Sequence, residues 1–556
     1  MHRLLQLLLI TTAISVCSCN SPKKKVTKKR PNIIFMMADD HTPQAISGYD
    51  GVLGSTPNID KLMEEGMRFN HCYVTNAICG PSRAVALTGK LSHINGVTDN
   101  GKDFDSTQLT YPKVLKANGY QTAVVGKWHL GSTPEGFDYY SVLPGQGHYY
   151  SPEFIEKEGN VIYEGEYVTD VITRKAMEWI GQREEDKPFA LIYQFKAPHR
   201  NWMPAERFLN LYEDTVFPEP KTLFDNYEGR GTAAKEQEMR IGEHMWDAWD
   251  FKLASREELE AFGAKNKPSK KDYNAKQSDI AGANKRDQDL AKFYAVWNRM
   301  NDAQKDAWHK TYDKRLKEFK ELKLEGKALI SWKYQNYIRD YLRTVNAVDE
   351  NIGKMMKYLE EIGELDNTII VYTSDQGFHL GENGYFDKRF MYESSYKMPL
   401  VIRYPKMIEK GSQTDALSMN LDFAPTILDL CGVNVPNEMQ GESLLPVLSN
   451  KGKIPTDWRT ATYYHYYEYP SWHSVKRHYG IRTKDYKLIH FYNDVDEWEL
   501  YDLKNDPNEM QNVAQNPEYS AILAELVTTL NNVQSQYQDE DPMEKEKEYF
   551  TGVNHH

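Results

Sequence analysis

Residues 77–89 read Ala77-Ile78-Cys79-Gly80-Pro81-Ser82-Arg83-Ala84-Val85-Ala86-Leu87-Thr88-Gly89. After Asn76, this places a cysteine beside Gly-Pro at the head of a short helix-forming segment that Gly89 closes. Free N–H groups and the helix dipole favour negative charge at such a position. Arg83 returns to the same side one turn later. A lone cysteine is also, commonly, a small buried hydrophobe, so chemistry at Cys79 needs partners from elsewhere in the chain. Asp39-Asp40-His41 offers two adjacent carboxylates straight after an apolar run, a costly pair unless a hard cation neutralises it. Gly126-Lys127-Trp128-His129, Lys196-Ala197-Pro198-His199 and Ser374-Asp375-Gln376-Gly377 also follow apolar runs. Taken alone, Lys127 with His129 fits a pocket or a surface loop equally well, and Lys388 reads as an ordinary lysine near a Gly-rich loop.

The elements that must position these groups are legible as short buried strands. Ile33–Ala38, Gln121–Val125, Phe189–Phe195 and Thr368–Thr373 are apolar without alternation, as expected of strands covered on both faces. Each delivers polar residues at its carboxyl end, and in open α/β sheets sites gather there. Residues 341–362 carry Leu342, Val345, Val348, Ile352, Met355, Met356 and Leu359 at helical spacing, a core-facing helix. Residues 225–335 interrupt the rhythm with polar, helix-prone sequence, and 263–286 read as an exposed insertion. From about residue 455 the texture becomes alternating, over 460–467, 479–482, 486–491 and 497–502, which predicts a small antiparallel sheet. A closing helix over 518–537 and a frayed, charged tail from Gln538 follow.

Cys79-x-Pro81-Ser82-Arg83 followed by Thr88-Gly89-Lys90 resembles the signature of the type I sulfatases, in which that cysteine is oxidised to Cα-formylglycine. The resemblance runs from Pro31 to about Val513. It implies an alkaline-phosphatase-like α/β fold, a large mixed sheet flanked by helices with a smaller C-terminal α+β domain. The expected division is a catalytic domain over 31–450, with its helical insertion, and a C-terminal subdomain over 451–556. The resemblance also implies Ca2+ held by Asp39, Asp40, Asp375, Gln376 and the modified Cys79, with Gln376 where many relatives have Asn or His. Arg83, Lys127, His129, His199 and Lys388 match the catalytic set. A formylglycine-generating maturation enzyme is then a required partner.

The stretches 197–204, 375–378 and 463–477 look most like bacterial N-acetylglucosamine-6-O-sulfatases that degrade sulfated glycans of heparan or mucin type. Trp202, His473, Lys476, Arg477 and His478 are the candidate sugar-facing residues, and an ordinary hairpin surface is the competing reading. Other readings are a sulfatase for N-acetylgalactosamine 6-sulfate or a 2-sulfated uronic acid, a phosphoesterase of the same superfamily, and a glycan-binding lipoprotein without catalysis.

The 556 residues suffice for more than one domain. A net charge of -12 argues against nucleic-acid binding, so an anionic substrate needs a locally basic pocket. Of five cysteines, Cys17 and Cys19 lie in the N-terminal segment, and the odd remainder fits neither a disulfide framework nor a zinc site. Residues 4–16 form an apolar run too short to span a membrane. Val16-Cys17-Ser18-Cys19 resembles a lipobox with Cys19 as the lipidated residue, and residues 20–30 form a Lys-rich tether. The expectation is an exported protein, periplasmic or anchored to the outer membrane through its lipid alone; cleavage as an ordinary secreted protein is the alternative.

Overall fold

The computed structural model describes residues 29–49, 52–266 and 284–539. The lipobox, Cys19 and most of the tether lie outside these residues, as does the centre of the 263–286 stretch. Lys29 and Arg30, read from sequence as tether, are held. Lys29 Nζ lies 2.6 Å from Glu364, and Arg30 donates to the Asn118 carbonyl at 2.6 Å.

Among the described residues, the largest sheet has ten strands. At its centre are β1 (Asn32–Ala38), β2 (Gln121–Lys127), β3 (Phe189–Gln194), β4 (Thr368–Ser374) and β5 (Leu400–Arg403). β1 lies between β3 and β4 and is parallel to both; β2 continues the parallel array beyond β3, and β5 pairs antiparallel with β4. The sheet is therefore mixed, with a parallel centre. Every residue of β1, β3 and β4 is buried, which is why their apolar runs do not alternate.

Register brings the polar residues to one level. Ala38 pairs with Ser374, Met37 with Gln194, and Gln194 with Gly126. Asp39, Asp375 and Lys127 thus emerge together at one sheet edge. Gly126 makes this possible: its φ is +107°, and a Cβ there would lie 1.8 Å from the Gln194 carbonyl oxygen.

Four helices matter most below: α1 (Cys79–Thr88), α2 (Lys285–Trp297), α3 (Gly326–Glu361) and α4 (Ser520–Tyr537). Every residue of α1 is buried, and Gly89 ends it in the left-handed conformation, its N–H bonded to the Val85 carbonyl. α3 starts fifteen residues before the expected helix because Trp332, Tyr334, Tyr337 and Ile338 extend its buried face. The helices of 225–335 are not a polar appendage. Phe293, Trp297, Trp308 and Tyr312 pack with Ile34, Met36 and Tyr372 in one core.

The C-terminal sheet consists of β6 (Ala461–Tyr466), β7 (His478–Thr483), β8 (Tyr486–Phe491) and β9 (Glu497–Asp502), each antiparallel to the next. α4 covers one face, with Leu526, Leu530 and Tyr537 against Tyr463, Ile481 and Leu488. The tail is not frayed at its start. Asp539 is 1% exposed, and its carboxylate accepts from Tyr463 Oη at 2.7 Å and pairs with His465 Nδ1 at 2.7 Å. No helix among the described residues is long and apolar enough to cross a membrane.

Candidate active site

Cys79 opens α1, with its Sγ 3.2 Å from Asp39 Oδ1. Asn100 Oδ1 accepts the Gly80 N–H at 3.0 Å and satisfies one free donor of the first turn. Asn76, although it precedes the helix, does not cap it; its amide donates to the Thr98 carbonyl at 3.0 Å. The helix N-terminus does not activate the thiol. Burial, with the Asp39 carboxylate beside it, pushes the Cys79 thiol well above its ordinary range. An unmodified Cys79 is therefore a poor nucleophile.

Arg83, one turn along, is wholly buried. Its Nε and Nη2 reach Asp375 Oδ2 at 3.1 and 2.8 Å, and its Nη1 donates to the Lys127 carbonyl at 3.0 Å and Gln194 Oε1 at 2.7 Å. Lys127 Nζ pairs with Asp39 Oδ2 and donates to Gln146 Oε1 at 2.5 Å. Lys388 Nζ lies 2.5 Å from Asp40 Oδ1 and 3.4 Å from Cys79 Sγ. His199 Nε2 stands 3.9 Å from Asp40 Oδ2, while its Nδ1 bonds the Arg200 carbonyl at 2.6 Å. His129 follows Lys127 with φ +54°, and its buried Nδ1 has no hydrogen-bond partner among the described residues. Burial, reinforced by the surrounding lysines, holds both His129 and His199 well below the ordinary histidine range, hence neutral.

Asp39, Asp40 and Asp375 present ligand oxygens within 4.8 Å of one another. Burial and the two neighbouring carboxylates push Asp40 up to about 7 despite Lys388. Asp40 Oδ2 and Gln376 Oε1 are buried without a hydrogen-bond partner among the described residues. Gln376 Nε2 lies 2.5 Å from Asp40 Oδ1, and turning the amide over would present its oxygen instead. Convergent carboxylates with unused oxygens suit a hard divalent cation. Three carboxylates face the cations of Arg83, Lys127 and Lys388, so a bound dication leaves the pocket positive, the sign that receives an anionic ester.

A family model for sulfatases matches residues 31–433. The chain belongs to the sulfatase family. A second family model, the C-terminal region of N-sulphoglucosamine sulphohydrolase, matches residues 381–536. This sulfatase is 56% identical over 549 residues to the N-acetylglucosamine-6-O-sulfatase of Bacteroides thetaiotaomicron, covering 98% of this chain and 93% of that one. It is 26% identical over 463 residues to human N-acetylglucosamine-6-sulfatase, with 78% of this chain and 66% of that one covered. A solved structure in complex with its substrate D-glucosamine-2-N,6-O-disulfate superposes with a TM-score of 0.87 at 56% identity, over 93% of this chain and 100% of that one. The phosphonate monoester hydrolase of Agrobacterium radiobacter, at 20% identity and TM-score 0.61 over 91% of this chain and 96% of that one, shares the fold. This sulfatase is a sulfuric ester hydrolase with the alkaline-phosphatase-like architecture expected above.

The sugar-facing set needs correction. Trp202 is fully buried, its ring 4.7 Å from Tyr337 and 6.3 Å from Phe378, because the chain after His199 turns into the aromatic core beside α3. His478 is also fully buried and both its nitrogens are used: Nε2 accepts the Met391 N–H at 3.1 Å, and Nδ1 bonds the Lys476 carbonyl at 2.8 Å. Lys476 is neutralised by Asp494 and by Glu236 at 3.0 Å. Arg477 braces its own loop, donating to the Tyr467 and Tyr469 carbonyls. Of the five, His473 is the one paired with a charged neighbour of Lys388, with Nε2 3.3 Å from Asp387 Oδ2.

Several groups at the site escaped the sequence reading. Asp387 and Arg389 flank Lys388, pair with each other, and have φ of +76° and +89°. Arg389 Nε lies 3.9 Å from Glu468 Oε2. The signal available was their adjacency to Lys388. Lys196 is 2% exposed, its ammonium 4.8 Å from the Tyr149 ring, and burial together with Lys127 lowers it to about 7 despite Asp39 and Asp40. Tyr464, on β6, lies in the 463–477 stretch but carried no sign of its role. Its fully buried hydroxyl accepts the Ala77 N–H at 3.2 Å and donates to the Arg389 carbonyl, joining the loop before Cys79 to the loop that carries Lys388.

Proposed function

We propose that this sulfatase removes the 6-O-sulfate from N-acetylglucosamine at the end of a sulfated glycan, of heparan or mucin type. The observation that carries the sugar assignment is the 56% identity, across nearly the whole of both chains, to an enzyme named for that activity. Cys79 would be oxidised to formylglycine by a maturation enzyme, and its hydrated form supplies a hydroxyl nucleophile with a second hydroxyl through which the product can be expelled. Asp39, Asp40, Asp375 and Gln376 would hold Ca2+, which acidifies that hydroxyl and draws in the sulfate. The high thiol pKa at residue 79 and the unused oxygens of Asp40 and Gln376 support this assignment.

The chain's own residues do the rest. Arg83 is fixed by Asp375, Gln194 and the Lys127 carbonyl, so it would hold Asp375 in place and meet the hydrated residue 79 without moving. Lys127 and Lys388, on opposite carboxylates, would clamp the sulfate oxygens and stabilise the charge that grows in the transition state. His129, held neutral, is ready to accept the proton of the second hydroxyl. His199 would give a proton to the departing sugar oxygen. Its Nδ1 is committed to the Arg200 carbonyl, so Nε2 faces the site, and an arriving anion favours its protonated form. Asp387, Arg389 and His473 stand beside Lys388 as the wall against which the sugar hydroxyls would lie.

The N-terminal segment fits export and lipid anchoring at Cys19, and the test there is metabolic labelling with a fatty acid. For the activity, protein with formylglycine at residue 79 confirmed by peptide mass is assayed for sulfate release. The substrates are N-acetylglucosamine 6-sulfate, N-acetylgalactosamine 6-sulfate and a 2-sulfated uronic acid. Preference for the first is expected. Release only from another sugar would discard the assignment while leaving the catalytic set, and faster turnover of an aryl phosphate than an aryl sulfate would refute the sulfatase chemistry.

A further inference from the structure

Trp472 is 54% exposed, and no other aromatic side chain among the described residues is as open to solvent. It directly precedes His473, which turns inward to Asp387, and φ values of +67° and +51° at His473 and Ser474 make the tight turn that separates the two directions. The turn is anchored to the segment at Glu238. The Glu238 N–H donates to the His473 carbonyl at 2.8 Å, and His473 Nδ1 bonds the Glu238 carbonyl at 2.8 Å. Opposite lies α2, whose Lys292 ammonium sits between two indoles, 4.2 Å from the Trp246 ring and 5.1 Å from the Trp472 ring. Lys285 lies 5.9 Å from Trp246.

The nearby acids are already committed. Asp250 holds Arg200 through two bonds of 2.7 and 2.6 Å, Asp289 accepts the Ala248 and Trp249 N–H groups at 2.7 Å each, and Glu236 pairs with Lys476 at 3.0 Å. Burial, together with Arg200, lowers the Lys292 ammonium to about 8, while Asp250 and Asp289 favour its charged form. A pre-positioned cation beside the exposed Trp472 indole matches an acidic sugar: the indole packs on the ring's C–H face, and the ammonium meets a carboxylate or sulfate. Because the indoles already hold the cation, little side-chain freedom remains to be lost on binding.

We propose that Trp246, Lys292 and Trp472 form an outer subsite that holds an acidic sugar residue of the glycan, next to the residue that bears the scissile sulfate. This rests on the reading of the inner pocket as a sugar-sulfate site, which the first arm of the experiment tests separately. Three substrates are compared: N-acetylglucosamine 6-sulfate alone, the same sugar linked to a neutral hexose, and the same sugar linked to a uronic acid. Trp472→Ala and Lys292→Met should each lower kcat/KM on the uronic-acid disaccharide by roughly tenfold. Both should leave the monosaccharide unchanged, and Lys292→Met should spare the neutral disaccharide. The two residues lie on different elements, so a local folding defect in one variant does not mimic the pattern in both. Equal losses on all three substrates, or undiminished turnover of the acidic disaccharide by Lys292→Met, would overturn the outer subsite. Wild-type protein that releases no sulfate from the monosaccharide or either disaccharide would overturn the inner pocket reading and this one with it.

Discussion

Tyr464→Phe isolates one hydroxyl that joins the loop before Cys79 to the loop that carries Lys388. The ring would stay packed against Tyr396 and His478, whose centroids lie 5.3 and 5.4 Å away. Only the bonds to the Ala77 N–H and the Arg389 carbonyl would go. Both groups are deeply buried, so each loses a partner that water does not readily replace. Leaving a buried polar group unpaired costs about 1–3 kcal/mol, so a stability loss of roughly 2–4 kcal/mol is expected after partial relaxation. The kinetic effect arises differently. Ala77 is two residues from Cys79 and Arg389 is next to Lys388, whose Nζ is 3.4 Å from Cys79 Sγ. If the two loops separate by a fraction of an ångström, the proposed nucleophile and sulfate clamp lose alignment, and kcat should fall roughly 10- to 100-fold. KM should change much less, because the clamp itself is intact. Denaturant unfolding and steady-state sulfate release, on preparations with matched formylglycine content, measure both. A variant that is destabilised yet keeps kcat within about twofold of wild type would show that Tyr464 supports the sheet and does not position the chemistry.

Other perturbations separate chemistry from scaffold. Cys79→Ala should abolish turnover while leaving the unfolding transition near its wild-type position; near-normal activity would refute a mechanism through residue 79. Trp202→Ala should destabilise by about 3–5 kcal/mol, as expected for a fully buried indole, with KM little changed. A raised KM without lost stability would return Trp202 to the sugar. Asp340 is buried between Arg315, at 2.6 Å, and Arg343, at 3.2 Å; burial would raise its carboxyl, but Arg315 prevails and brings it down to about 2. A carboxylate lowered in the folded state stabilises above its unfolded value near 4, and that contribution, about 2 kcal/mol, disappears as pH falls from about 4 to 2. Asp340→Asn should lose stability at neutral pH and show a shallower decline between pH 4 and 2; an unchanged slope would refute the assignment.

Local sequence was sufficient for what depends on runs of neighbouring residues. The four buried strands were legible because covering a strand on both faces forbids alternation; the C-terminal strands form where expected, though their burial does not alternate, since α4 and the catalytic domain cover both faces of much of the sheet. The helix over 341–362 was recognised but begins at Gly326, since its first turns bury aromatic rings that single-sequence reading took as part of a polar insertion. The spacing of Cys79, Arg83 and Gly89 sufficed to place them on one short helix.

What lies opposite each residue was decided only in three dimensions. Residues 39, 127, 199 and 375 meet because strand register and a glycine at 126 bring distant strand ends to one level, and Lys388 reaches them from a separate hairpin loop. Trp202 and His478 have the composition of sugar ligands, yet the chain buries one beside α3 and uses both nitrogens of the other. Tyr464 is one of many tyrosines in the sequence, and its hydroxyl matters only because β6 brings it to both the Ala77 N–H and the Arg389 carbonyl. Side-chain type and local period determine which elements form. Burial and hydrogen-bond partners belong to the packed chain, and they decide whether a tryptophan is core, a lysine is neutralised, or a cysteine can react.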